Sequence, residues 1–141
     1  GDPQTYTADG SGNVTIGQTC TNWMAGLPYT AQWQSGKLGQ LRAGSSEVSL
    51  TMHKKLSALG LILADTHHKG LKYGQDFDHL RSLSQTIRGR PVTADTVYVD
   101  YEEHPLAING TWDTDARLCL QSQAPRPCTV VCAIAEGDAN A

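Results

Sequence analysis

The chain has 141 residues, 39% of them hydrophobic and 6% aromatic, with a single Phe. That is about one domain with a lean core, expected to be built mainly from Leu, Val, Ile and Ala, and it leaves room for support from neighbouring chains. A formal charge of −3, with basic residues scattered apart from Lys54–Lys55 and Arg88/Arg90, disfavours a general polyanion-binding role.

In chain order, the first residue is Gly rather than Met, and residues 1 to 20 are polar and rich in Thr and Gly, unlike a signal peptide. Gly1 to Asp9 reads as the middle of a repeat, so a piece of a longer polypeptide is favoured over a processed product. Gln4 to Thr7 and Val14 to Ile16 are β-prone, and Asp9-Gly10-Ser11-Gly12-Asn13 between them tolerates positive φ. Residues 4 to 17 therefore predict a hairpin. A second pair is expected at Thr21 to Met24 and Tyr29 to Gln34, separated by Gly26-Leu27-Pro28. Residues 35 to 46 are a Gly/Ser-rich connector, the seam between two substructures.

Beyond the seam, Val48, Met52, Leu56 and Leu59 recur at helical spacing, whereas Leu59, Leu61 and Leu63 alternate as a strand does. The reading is a short helix or irregular turn near 46 to 55, then a strand from Leu56 to Thr66. Lys69 to Gly74 predicts a turn and an extended piece, and Asp76 to Ile87 a loop with at most one helical turn. Thr96 to Asp100 alternates as a strand, and Asn109-Gly110 is the strongest hairpin-turn dipeptide in the chain. Ala116 to Leu120 and Cys128 to Ile134 predict two further strands, joined by a polar turn containing Pro. Asp138 to Ala141 is expected to be a disordered tail.

The sum is a mainly β fold of antiparallel sheets, a sandwich or a propeller-blade-like arrangement, with long loops and at most one short helix. Its expected segments are a hairpin or blade-like part over 1–36, the connector over 37–46, a β domain over 47–136 and a flexible tail over 137–141. No run approaches the roughly 20 apolar residues of a membrane helix, the longest being Leu59 to Ala64, so no membrane partner is expected.

Residues that could carry chemistry have simpler explanations. Cys128 and Cys132 share a strand face about 13 Å apart, too far for a disulfide with each other or for one metal. Cys119 and Cys20 could pair, but four free, mostly buried thiols in a reducing cytoplasm are expected. His67 and His68, adjacent on a strand, would face opposite sides, and Asp65 with His67 lacks a third ligand. Asp76/Asp78 and Asp113/Asp115 could be glycosidase carboxylates or a calcium loop, yet no ligand series ending in Glu follows, and turn-capping is the ordinary role. There is no Gly-x-Ser-x-Gly elbow, and Asn109-Gly110-Thr111 is a glycosylation sequon without a secretory route. No catalytic, metal-binding or cofactor-binding residue is assigned, and no cofactor is expected. Trp23, Trp33 and Trp112 are the candidate interface or sugar-stacking residues.

Four segments carry a family resemblance: Gly26-Leu27-Pro28-Tyr29-Thr30; Lys54-Lys55-Leu56-Ser57 with Leu61 to Thr66; Gly70-Leu71-Lys72-Tyr73-Gly74 with Phe77-Asp78-His79-Leu80; and Gly110 to Leu120 with Pro125 to Ile134. In this order and spacing, over residues 14 to 136, the chain resembles the C-terminal portion of the tail nozzle proteins of short-tailed bacteriophages, also called tail tubular protein B. Family members are several-fold longer, so this chain reads as a trimmed fragment or a small separate component of the same module. The resemblance implies a non-enzymatic virion protein of the phage tail, assembled in the host cytoplasm. It would form a homo-oligomeric ring, six-fold in the family, touch adaptor and fibre proteins, and let DNA pass during ejection without binding it specifically. The alternative is a carbohydrate- or receptor-binding β-sandwich module of a phage tail or adhesin, and the three Trp residues motivate it.

Overall fold

The computed structural model describes residues 4–23, 25–41, 48–87, 90–93, 96–123 and 125–140. Met24, Arg88, the connector beyond Leu41 and the last residue, Ala141, lie outside them. Among the described residues the chain is all strand and turn, with no helix. The strands are β1 (Thr30–Gln34), β2 (Gln40–Leu41), β3 (Val48–Ser49), β4 (His53–His67), β5 (Leu71–Gly74), β6 (Arg81–Ser82), β7 (Thr86–Ile87), β8 (Arg90–Pro91), β9 (Val97–Ala107), β10 (Cys119–Gln123) and β11 (Thr129–Asn140). Every pairing between them is antiparallel.

Two sheets enclose one core. The first has strand order β1-β10-β5-β6 and the second β11-β4-β9, while β2-β3 and β7-β8 are short ribbons. The alternation Leu59, Leu61, Leu63 makes β4 the centre of the second sheet. These leucines are at most 1% exposed, and full burial of each contributes about 1.5–3 kcal/mol. They meet Leu71 and Tyr73 of β5, Leu120 of β10, Tyr98, Tyr101 and Leu106 of β9, and the loop residues Leu83, Ile108 and Leu118. The core is therefore mostly leucine and tyrosine, with Ile108, Ala116 and Cys119 added. The expected contribution from valine is small: Val130 packs half-buried against the core, while Val14, Val48, Val97, Val99 and Val131 are exposed.

Irregularities set which side chains turn inward. Asp65 adopts a φ of 45°, a left-handed conformation that a short polar side chain tolerates. It lies between the pairs Ala64–Asp100 and Thr66–Tyr98, where the buried positions change parity: Leu63 and Tyr101 are buried on one side of it and Thr66 and Tyr98 on the other. Thr66, fully buried, ties the end of β4 to the start of β11. Its hydroxyl accepts from the Thr129 amide (3.0 Å) and donates to the Ala64 carbonyl (2.9 Å).

Several expected elements differ. The residue 4–17 hairpin is only a turn: the Asp9 amide donates to the Asn13 carbonyl (2.9 Å), and the Asp9 carboxylate accepts from the Ser11 and Asn13 amides. The flanking segments make no ladder, because Tyr6, Val14 and Ile16 find no apolar face to cover and stay exposed. Thr21 to Trp23 likewise forms no strand, and β1 pairs instead with β10, Trp33 lying opposite Leu120.

The short helix near 46 to 55 is absent from its described part, 48–55. Val48–Ser49 pairs with Gln40–Leu41 and β4 already begins at His53. The two C-terminal strands start at Cys119 and Thr129 and do not pair with each other. The tail is ordered to Asn140, because β11 follows β4 down to its first residue, Asn140 pairing with His53. Asn109-Gly110 closes no hairpin. Gly110 is required for close approach, since a Cβ there would collide with Gln75 Oε1 and the Leu56 backbone.

Candidate functional site

Three places gather the residues of interest. The first is an open polar cleft of about 410 Å³ lined by Gln34, Gln75, Asp76, Thr111, Asp113, Asp115 and Arg117. It lies where β1, the end of β5 and the loop before β10 meet. Its floor is a polar strap. Gln34 Nε2 donates to Cys119 Sγ (3.4 Å), Cys119 Sγ donates to the Gln75 carbonyl (3.5 Å), and the Gln75 amide spans to the second sheet. There Gln75 Oε1 accepts from the Leu56 amide (3.1 Å) and its Nε2 donates to the Thr111 carbonyl (2.7 Å). Gln75 is 8% exposed, so these bonds satisfy a polar group that would otherwise cost about 1–3 kcal/mol.

The cleft brings together Asp76, Asp113 and Asp115, members of both acidic pairs, and each carboxylate is committed to a turn. Asp76 Oδ1 accepts from the Asp78 amide (2.9 Å), the His79 amide (2.7 Å) and His79 Nδ1 (2.9 Å). Partial burial pushes the Asp76 carboxyl up, but the bonds from His79 and Asp78 together outweigh it and hold it below the usual carboxylate range. Asp113 Oδ1 accepts from the Asp115 amide (3.0 Å), and Asp115 Oδ1 accepts from Arg117 Nε (3.0 Å). Asp113 and Lys54 exchange backbone hydrogen bonds of 2.7 and 2.9 Å, which fix the loop to the start of β4. Asp78 lies outside the lining. The arrangement holds loops in place. Its carboxylates are turn caps and a partner of Arg117.

The second place is the end of β4. His67 and His68 were expected on opposite faces. Their rings instead lie 4.4 Å apart, because β4 ends at His67 and His68 opens the turn to Gly70. Both are buried, whereas Asp65 is exposed, so the Asp65/His67 pair does not form a site. His67 Nδ1 accepts from the Lys69 amide (3.1 Å), and the turn closes through the Gly70 amide to the His67 carbonyl (2.6 Å). Among the described residues no group of three or more His, Cys, Asp or Glu side chains is placed to hold a metal. All four cysteines are free, Cys119 buried, Cys128 and Cys132 partly so, and Cys20 exposed. Burial pushes the Cys119 and Cys128 thiols up, away from thiolate reactivity.

The third place is the apolar surface. The three Trp residues sit on separate elements, Trp23 in the N-terminal segment, Trp33 on β1 and Trp112 in the loop before the Lys54–Asp113 bridge. They are 71%, 53% and 49% exposed. Sequence reasoning missed two further surfaces. One is the N-terminal arm, residues 4–23 and 25–29, where every residue is exposed and Tyr6, Val14, Ile16, Trp23, Leu27 and Tyr29 contribute nothing to the core. The other is the outer face of the β11-β4-β9 sheet. Cross-strand partners place Ile62, Cys132 and Glu102 side by side, with Gly60–Ile134 and Ala64–Asp100 on either side. Ile134 is 58% exposed and Ile62 is 38%. The one clue in the sequence was Ile62 between Leu61 and Leu63: a run that is apolar at every position is the pattern of a strand covered on both faces, yet Ile62 is exposed. Among the described residues no helix is long and apolar enough to cross a membrane. Neither protein-family models nor curated proteins match this chain.

Proposed function

We propose that the chain is a structural module of a phage virion, a component of the tail nozzle or tail tube ring that forms part of the DNA exit channel and docks other tail proteins. The observation that carries this reading is the distribution of apolar side chains. Ordinary soluble domains scatter exposed hydrophobics singly, whereas here an entire arm and a sheet face hold them in groups, which is what an assembly interface needs. The ordered sequence segments that resemble those of the tail nozzle proteins support this choice of assembly. A ring of head-to-tail contacts would bury these groups and support the lean core. The formal charge of −3 suits a channel past which DNA slides, because Lys and Arg contacts to phosphate would retard it.

The test is electron microscopy of the purified protein, together with mass spectrometry of purified phage particles. The reading expects closed rings, six-fold by the resemblance, and the chain among the tail proteins. A monomer never recovered from particles sinks it.

The exposure of about half or more of each of the three Trp residues favours one competing reading, a glycan-binding module that stacks sugars on aromatic faces. It expects glycan-array signals that disappear in Trp33→Ala or Trp112→Ala with the fold retained.

A further inference from the structure

The outer face of the β11-β4-β9 sheet and the N-terminal arm are complementary in kind. On β4 the face carries the exposed Ile62 with the half-buried Ala58 and Ala64, small side chains on either side of it, and Gly60 between them is buried. Cys132 and Ile134 border it on β11, and Asp100 and Glu102 on β9. A second copy of the same face would bring two more carboxylates to the contact from β9 alone. The arm brings one, Asp9, and its described residues contain no Lys, Arg or Glu. Residues 4 to 29 can span up to roughly 85 Å when extended, so the arm reaches well beyond its own domain. Its aromatic anchors are large: Trp23 and Tyr29, at roughly 150 Å² each, bury about 300 Å² on the arm side, and Leu27 adds to this toward the ~1,000 Å² total of a stable interface.

We propose that the arm of one copy lies across the outer face of the β11-β4-β9 sheet of the next copy, seating Trp23, Leu27 and Tyr29 against Ile62, Cys132 and Ile134. The contact is heterologous, because the surface a chain donates differs from the one it receives. It rests on the assembly reading above and specifies how neighbouring copies are joined. Closure into a ring or growth into a filament follows from the angle at which each arm leaves β1.

The experiment uses the full chain in analytical ultracentrifugation across a range of concentrations. The arm variant is Trp23→Ser with Leu27→Ser, and the face variant is Ile134→Glu. All three side chains are more than half exposed, so the fold is retained, and circular dichroism checks it. Wild type is expected to assemble with concentration, and each variant alone to weaken that assembly at least tenfold. The decisive sample is the mixture. The arm variant still has a receiving face and the face variant still has an arm, so together they form a one-to-one dimer and stop there.

Assembly that survives in either variant overturns the arm contact and leaves the ring reading standing. A mixture without dimers overturns it too. A monomeric wild type found in phage particles removes only the arm contact. A monomeric wild type absent from particles removes both. A dimer of wild type that persists in the arm variant but is lost in the face variant identifies face-to-face pairing instead.

Discussion

Tyr98 and Gly110 show how much one side chain, or the lack of one, determines in this chain. The Tyr98 ring packs at 4.9 Å from that of Tyr101, but its hydroxyl is buried with no hydrogen-bond partner among the described residues. Tyr101, by contrast, donates to the Glu103 carboxylate. Leaving a hydroxyl unsatisfied costs about 1–3 kcal/mol, and Phe preserves the ring contact. Tyr98→Phe should therefore be neutral or raise stability by up to about 1 kcal/mol in urea unfolding, while Tyr101→Phe lowers it. Two equal losses would show that Tyr98 has a polar role. Gly110 teaches the opposite lesson. Its dipeptide signature, Asn-Gly, advertises a hairpin, whereas its place in the molecule is decided by the Leu56 backbone lying against it. Local turn chemistry states what a residue tolerates and leaves open what uses that tolerance.

At the scale of elements, β4 combines one core face and one face on which Ile62 is exposed. Leu61→Ala should cost about 2–5 kcal/mol, because a cavity opens between the sheets. Ile62→Ser, one residue on, should cost under ~1 kcal/mol in the monomer, because Ile62 faces away from the core. Comparable losses for the two would mean that the outer face is covered within the chain. This alternation was legible in Leu59, Leu61 and Leu63, as was the strand through Val97 to Asp100, since period-2 patterning is a local property. The ends were not legible. Asp138 to Asn140 has the composition of a tail, yet it pairs with Lys55 to His53, residues more than eighty positions away. The gathering of Asp76 with Asp113 and Asp115 was equally hidden, for it depends on Gln75 bridging Leu56 and Thr111 between the sheets. The exposed arm was misread because β-prone residues around a good turn look like a hairpin whether or not a third strand is present.

For the molecule as a whole, the tyrosines make its stability sensitive to alkali. Burial pushes the Tyr73, Tyr98 and Tyr101 phenols above their ordinary value, and for Tyr101 the hydrogen bond to Glu103 and the Glu103 charge add to it. A raised folded-state value means that the folded chain holds protons the unfolded chain releases. The stabilisation is fully present below pH ~10 and is lost as pH rises beyond it. Stability should decline gently from about pH 8.5, where unfolded thiols ionise before the buried Cys119 and the partly buried Cys128. It should then fall steeply above about pH 10, with tyrosinate absorbance appearing together with loss of β-sheet signal. In Tyr101→Phe the fall should be shallower. Tyrosinate absorbance from all the tyrosines in a chain that is still folded would contradict the packing of this core.

The partner of β1 also constrains how the chain is made. Thr30–Gln34 pairs with Gln123–Cys119, some ninety residues downstream, and β4 likewise waits for β9 and β11. Ribosomes emit about 5–20 residues per second, so the N-terminal third is outside the tunnel for several seconds before any strand exists to receive it. Through that interval nascent chains on one message carry uncovered leucines and aromatics side by side, and the period closes only when the last fifth of the polypeptide emerges. Slower translation after Gln34 would lengthen this exposure and should raise the demand for a chaperone that shields extended apolar segments.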